Sequence, residues 1–227
     1  MERFMDALRR LLGDSSLYLD LIRGEMPEFR ACIRLGDLEE AATIVIGEEA
    51  DIVEGCISPD LEMKMDSETL ERILRGRADA FALAARARWN EERPVEFMIN
   101  REEALESGRA SLTYLFAPER VGKIRVRRMC EELAGEAHGG HPIPLIYWNG
   151  LRSSWYLVKS GEILNREGER DPWPQLILVL RGRGRAKIHE EEFEVKPKMA
   201  IYIPKNCVHQ IAAEEDMELI WISWQSY

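Results

Sequence analysis

The sequence predicts two domains of different class: an α+β N-terminal domain (an antiparallel sheet covered by helices) over residues 1–137, and an all-β barrel over residues 138–227. Three observations predict this. Apolar residues recur at three- and four-residue spacing near the start and again after Ser67, the mark of amphipathic helices. Short alternating runs separated by acidic or Gly/Pro turns fill the stretch between Phe29 and Asp66. Beyond Pro142 helical spacing disappears and one short strand follows another, the pattern of a sandwich or closed barrel.

Taken in order, the first 23 residues read as two short helices broken at "GDSS". Met1, Phe4, Met5, Leu8, Leu11 and Leu12 form one buried face, Gly13 ends the first helix, and Asp14 or Ser15 caps the next. "FRACIRLGD", "EAATIVIGEE", "DIVEGCI" and "LEMKMD" then read as an antiparallel meander. In the last run Leu61, Met63 and Met65 alternate with Glu62, Lys64 and Asp66, so one face is apolar and the other wet. Ser67 is the expected N-cap of a helix with a Leu70, Ile73, Leu74 stripe, closed by Gly76. "ADAFALAARARW" reads as a second helix, "PVEFMIN" as a strand or part of a helix, and "REEALESG" and "RVRRMCEELAG" as further helices. The Gly-Gly and Pro of "HGGHP" mark the domain boundary.

Charge and composition narrow the function classes. The net charge is −10, and the acidity belongs to residues 1–141, with 20 Lys+Arg against 29 Asp+Glu. The one compact basic run, "RGRGRAKI" at 181–188, alternates Arg with Gly or Ala in a strand and reads as a solvated face, so no nucleic-acid partner is expected. No stretch approaches the ~18 consecutive apolar residues of a membrane span. Cys32, Cys56, Cys130 and Cys207 form no CxxC pair, which argues against a zinc site or a disulfide scaffold and for a reducing, cytoplasmic setting. Three Gln and five Asn among abundant Glu and Arg match proteins from hot environments, a thermophile's balance.

The barrel strands are "IPLIYWN", "SSWYLVKSG", "QLILVLRGRGRAKI", "EEFEVKP", "MAIYIP", "VHQIAA" and "MELIWISWQ". The stretch "QLILVLRGRGRAKIHEEEFEVKPKMAIYIPKNCVHQI" resembles the heart of a cupin (jelly-roll) barrel: a strand ending in Leu-x-Gly, a hairpin, a Pro-to-Ile-Pro step and a final histidine. Metal-bearing cupins carry His-x-His, a glutamate, a glycine seven residues later, and a last histidine. Counting back from Gly182 lands on Gln175 instead of Glu, and the His-x-His positions fall on Glu169 and Asp171 or on Gly168 and Arg170. Pro204 and His209 are kept, and Asn206 replaces the usual glycine, preserving tolerance of left-handed backbone angles. One His, one amide and two carboxylates make a weak and unselective cage for a transition metal. The expectation is a barrel without a resident cofactor; the alternative keeps a divalent transition metal on His209 with Glu169, Asp171 and Gln175.

His138 and His141 read as linker residues, and His189 as a surface residue of a hairpin turn. Cys207 and His209 point to one face and Ser153 and Ser154 lack a glycine elbow, so no nucleophilic catalyst is assigned. The aromatics Trp148, Trp155, Trp173, Trp221, Trp224, Tyr147, Tyr156 and Tyr202 fill the lumen and the sheet interface or line a ligand cavity. A small molecule in that lumen would meet Trp173, Gln175, Tyr202 and His209.

The order of helices and strands up to "MDSETLERILRGRADAFALAARARW" is similar to a sterol-carrier-protein-type lipid-binding domain, although the family's glycine-rich strand after the second helix is missing. The resemblance implies a cavity for a hydrophobic small molecule (lipid, sterol or acyl group), lined by Met63, Met65, Leu74 and Phe81. The whole chain thus reads as a non-enzymatic two-domain binding protein, its metal-less barrel serving ligand sensing or homodimerisation, with "IWISWQSY" as a contact strand. The alternative is a divergent metal-dependent cupin enzyme of isomerase or dioxygenase type.

Overall fold

The computed structural model describes residues 3–88, 90–117 and 119–226. These fall into two compact units, one from residues 1–84 with 92–128, the other from residues 85–91 with 129–227. Met1, Trp89 and Tyr227, which the sequence reading drew on, lie outside the described residues.

Helices open the first unit. α1 (Phe4–Asp14) buries Ala7, Leu8, Leu11 and Leu12, the spacing that predicted it. It runs through Gly13, and the Ser15 hydroxyl donates to the Leu11 carbonyl at 2.8 Å where it ends. α2 (Leu19–Arg23) follows after one 3-10 turn. Four strands come next: β1 (Phe29–Leu35), β2 (Glu40–Ile46), β3 (Ala50–Glu54) and β4 (Leu61–Met65). β1, β2 and β3 are antiparallel, but β4 runs parallel to β1, with Ala31 opposite Leu61 and Leu35 opposite Met65. The expected four-stranded meander is therefore a mixed sheet. Alternation of apolar residues fixes which face a side chain takes, and is silent on which strand lies beside it.

α3 (Ser67–Leu74) is capped one residue earlier than expected: Asp66 accepts from the Thr69 N–H at 2.6 Å, while the Ser67 hydroxyl donates to Asp37. Gly76 closes that turn at a φ of 67°. The helix after it is short, α4 (Ala80–Ala84). The fully buried Asp79 accepts from the Ala82 N–H at 2.9 Å and pairs with Arg127 Nε at 2.9 Å. "PVEFMIN" supplies β5 (Glu96–Ile99), antiparallel to β4, giving the sheet order β3-β2-β1-β4-β5. α5 (Leu105–Ala110) runs into a π turn at Ser111–Leu115. It lies close on the sheet because Gly108 has no side chain: a Cβ there would stand 2.7 Å from Ile99 Cδ1.

The helix expected over residues 125–135 is absent. Ile124–Val126 is β7, paired with β6 (Glu119–Val121), and only a 3-10 turn stands at Glu131–Leu133. Distant partners override the local spacing: Arg125 bonds Ser15, and Arg127 reaches Asp79. Cys32 and Cys56 form a disulfide, which removes the ground for expecting a reducing compartment. The bond joins residues 24 apart, which meet where the chain crosses from β3 to β4. No helix among the described residues is long and apolar enough to cross a membrane.

The second unit is β-rich throughout. Its strands are β8 (His141–Trp148), β9 (Leu151–Val158), β10 (Ile163–Leu164), β11 (Gln175–Arg181), β12 (Gly184–Ile188), β13 (Glu191–Val195), β14 (Ala200–Ile203), β15 (His209–Ala213) and β16 (Met217–Trp224). They make a five-stranded sheet, β14-β11-β16-β9-β8, and a four-stranded sheet, β10-β15-β12-β13. Tyr156, Ile177, Val179 and Leu219 from the first and Leu164, Ala186, Val195 and Ile211 from the second make one core. The outer side of β9 is covered as well: Trp155 and Leu157 pack with Leu133 and Ile143. That contact draws residues 129–137 into this unit, so the break differs from the expected one at 137/138.

Asn206 adopts a φ of 59°, the left-handed angle its replacement of glycine implied. At Gly182, φ 79°, an added Cβ would stand 2.2 Å from the Asp216 carbonyl oxygen. The arginines of "RGRGRAKI" are each paired: Arg181 with Glu218, Arg183 with Glu215 and Arg185 with Glu192, at 3.1, 2.7 and 2.8 Å.

Candidate functional site at the polar end of the barrel

Strand register sets one polar row across the inner face of the five-stranded sheet. Tyr147 on β8 stands opposite Arg152 on β9, Arg152 opposite Ser223 on β16, and Ser223 opposite Gln175 on β11. Two residues further along each strand the same face carries Ser154, Trp221 and Ile177, and then Tyr156, Leu219 and Val179. The interior therefore grades from polar at one end to apolar beneath, because side chains two apart share a face.

Arg152 is the centre of that row. Its Nη2 donates to both carboxylate oxygens of Asp171 at 2.8 and 2.8 Å, and to Ser223 Oγ at 3.4 Å. Its guanidinium lies 4.1 Å from the Trp173 ring centroid and 5.7 Å from that of Trp221. Asp171 is itself fixed, since its Oδ1 accepts from the Trp173 N–H at 2.9 Å and its carbonyl from the Asn206 N–H at 2.7 Å. Arg152 Nε is buried with no partner in the protein. A planar cation held by a carboxylate and stacked on an indole presents its remaining donors in a fixed orientation.

His209 opens β15 and is buried. Its Nδ1 meets the Cys207 carbonyl at 3.2 Å; a carbonyl only accepts, so Nδ1 carries the proton and Nε2 keeps its lone pair. Burial holds the His209 imidazole below its ordinary pKa, against the pull of the Cys207 carbonyl and the Asp171 carboxylate, while nearby His138 adds to the lowering. Asn165, at a φ of 55°, ties this strand to the adjacent loop: its Nδ2 donates to the carbonyls of Glu169 and His209 at 3.0 and 2.9 Å. Tyr156 is buried below, and desolvation pushes its phenol well above the usual range.

The structure gathers some of the expected site residues and separates others. Trp173, Gln175 and His209 belong to the polar end, with Glu169 and Asp171. Tyr202 does not: it is 73% exposed on β14 between the inward-facing Ile201 and Ile203. Trp221 of "IWISWQSY" points inward, its Nε1 donating to Gln175 Oε1 at 2.9 Å, so it is not a contact residue on an outer face. In the first unit Met63 and Met65 lie on the apolar sheet face opposite Ile33 and Leu35 and are buried, Phe81 is buried on α4, and Leu74 is half-buried at the end of α3. Met63, Met65 and Phe81 are core positions.

Sequence reasoning missed Arg152 and Asn165, named Tyr147 only as one of the barrel's aromatics, and misplaced His138. His138, read as a linker residue, has its Nδ1 2.8 Å from Glu169 Oε2. His141 is likewise engaged, 3.0 Å from Glu162 in a cleft of about 270 Å³ bordered by Gly139, Gly161 and Arg166. The one local signal was the pair Asn149-Gly150 between β8 and β9, a hairpin turn that sets Tyr147 against Arg152.

The donors expected for a transition metal are already committed. Asp171 gives both oxygens to Arg152, Gln175 gives its oxygen to Trp221, and Glu169 faces His138. Among the described residues no group of three His, Cys, Asp or Glu donors forms in this barrel at metal-ligand spacing; the one such group is Cys32, Cys56 and Glu62. The residues at the polar end therefore do not fit the family's metal, and no step is derived through one.

Residues 155–224 match the family model described as "Cupin domain", so the second unit contains a cupin domain. Among solved structures, a Cupin 2 conserved barrel domain protein from Salinispora arenicola CNS-205 is 15% identical, with a TM-score of 0.41 over 45% of this chain and 90% of that one. The plu4264 protein from Photorhabdus luminescens is 19% identical, with a TM-score of 0.39 over 44% and 88%. KdgF from Halomonas sp. is 18% identical, with a TM-score of 0.34 over 39% and 81%. No curated protein matches the sequence.

Proposed function

We propose that the cupin unit is a binding barrel for a small polar molecule, held at its polar end without an organising transition metal. The observation that supports this reading most is Arg152, fixed by Asp171 and stacked on Trp173, with a buried Nε that no protein group satisfies. A buried unmet donor costs about 1–3 kcal/mol, and the guanidinium that carries it is held in a fixed place by Asp171 and Trp173. Around it stand both kinds of hydrogen-bonding group: the Tyr147 and Ser154 hydroxyls and the free Nε2 of His209. Such a mixed set, walled by Trp173 and Trp221, suits a neutral hydroxylated molecule better than a lone anion, because Asp171 already neutralises the arginine.

The hydrophobic-ligand reading of the first unit finds no support in the burial of Met63, Met65 and Phe81, which are packed as core. The enzyme reading, a metal on His209, Glu169, Asp171 and Gln175, requires Arg152 and Trp221 to release two of those ligands. Two measurements separate the binding and enzyme readings. Calorimetry of chelator-treated protein against a panel of polyols, sugars and small carboxylates is expected to find one-to-one binding that Arg152→Gln weakens about tenfold or more. Absence of binding across the panel, or stoichiometric Fe, Mn, Ni or Zn in protein purified without chelator that disappears in His209→Ala, would overturn the proposal.

A further inference from the structure

The disulfide of the first unit lies on the face of the sheet opposite Ile33 and Met63. Cys32 on β1 stands directly opposite Glu62 on the parallel β4 and Thr43 on β2, so the three side chains share that face. Cys56 comes over it from the loop after β3, and the two sulfurs and a Glu62 carboxylate oxygen lie within 4.8 Å of one another. Arg30 and Arg34, two residues either side of Cys32, share that face and are paired with Glu28 and Glu62 at 2.6 and 3.0 Å.

The loop carrying Cys56 does not depend on the disulfide for its position. Thr43 Oγ1, fully buried, donates to the Gly55 carbonyl at 2.8 Å and accepts from the Ile57 N–H at 2.9 Å, straddling Cys56. Asp60 Oδ2 accepts from the Arg30 N–H at 2.9 Å, and Asn100 Nδ2 donates to the Pro59 carbonyl at 2.9 Å. Reduction therefore leaves two thiols side by side under a carboxylate. Glu62 holds Arg34 through Oε2 at 3.0 Å, which orients the carboxylate while its other oxygen remains for a ligand.

We propose that Cys32, Cys56 and Glu62 form a redox-gated site for a thiophilic divalent cation such as Zn²⁺. In the oxidised state the sulfurs are bonded to each other and are poor donors. A dithiol reductant supplies two electrons and two protons, becoming a disulfide itself, and converts the bond to two thiols. Zn²⁺ then displaces both thiol protons and takes two thiolates and one carboxylate oxygen, at about 2.3 and 2.0–2.2 Å in such sites, with its fourth position open to water. Cys56 is half-buried, and rotation about its χ1 moves its sulfur away from that of Cys32.

The test uses the full chain in oxidised form and in reduced form freed of reductant under anaerobic conditions. Elemental analysis after Zn²⁺ loading is expected to give one equivalent bound in the reduced protein and none in the oxidised. Co²⁺ in place of Zn²⁺ gives the thiolate-to-metal charge-transfer absorption of a two-sulfur site. Cys56→Ser abolishes both signals, and Glu62→Gln weakens Zn²⁺ binding about tenfold or more. Reduced wild-type protein that binds no Zn²⁺ overturns the proposal, as does undiminished binding in Cys56→Ser, which would place the metal elsewhere. The oxidised and reduced comparison involves no substitution, so it stands even where a variant folds poorly.

Discussion

Replacing Arg152 by Met keeps the length and packing of the side chain and removes its charge. The carboxylate of Asp171, 15% exposed, then loses two contacts of 2.8 Å and the site loses a cation 4.1 Å from the Trp173 ring centroid. Breaking a fully buried pair costs about 3–5 kcal/mol and an exposed pair about 0–1. With Arg152 itself 24% exposed, the pair falls between these limits, at about 2 kcal/mol, and the lost cation–π contact adds about 0.5–1. The single variant is therefore expected to destabilise the barrel by about 2–3 kcal/mol. Asp171→Asn removes the same pair from the other side, so the double variant is expected to cost less than the sum of the singles, with a coupling energy of at least about 1 kcal/mol. The assay is urea denaturation followed by tryptophan fluorescence, since five of the chain's six tryptophans stand between Trp148 and Trp224. Coupling below about 0.3 kcal/mol would refute the claim that Asp171 holds Arg152 in place.

Two further outcomes are expected. Gly182→Ala combines a left-handed φ of 79° with a Cβ 2.2 Å from the Asp216 carbonyl oxygen, so it costs about 1–2 kcal/mol in backbone strain and about 1–3 in displaced neighbours, read as a drop in denaturation midpoint. His209 has a folded pKa below its unfolded value of ~6.5, so the unfolded chain binds more protons in the window between them and stability falls as pH drops through it. His209→Gln is expected to flatten the stability profile of the barrel between about pH 7 and 5; an unchanged slope would show that another group carries it.

The sequence by itself determined much of this protein. Alternation from Ile143 onward and the "AIYIPKNCVHQI" step defined the strands of the second unit and the left-handed turn at Asn206, because a strand's period and a turn's backbone angle are properties of a few neighbouring residues. The stripe Leu8, Leu11, Leu12 defined the first helix for the same reason. What lies between distant residues was decided only by the tertiary structure. Parallel pairing of β1 with β4 brought Glu62 beside Cys32, and the crossing loop laid Cys56 over them. Register across four strands lined up Tyr147, Arg152, Ser223 and Gln175, although nothing local distinguishes Arg152 from any exposed strand arginine. Pairing partners are chosen by the burial and polar satisfaction of the whole sheet, energies that a linear pattern does not contain, and the two candidate sites consist of such partners.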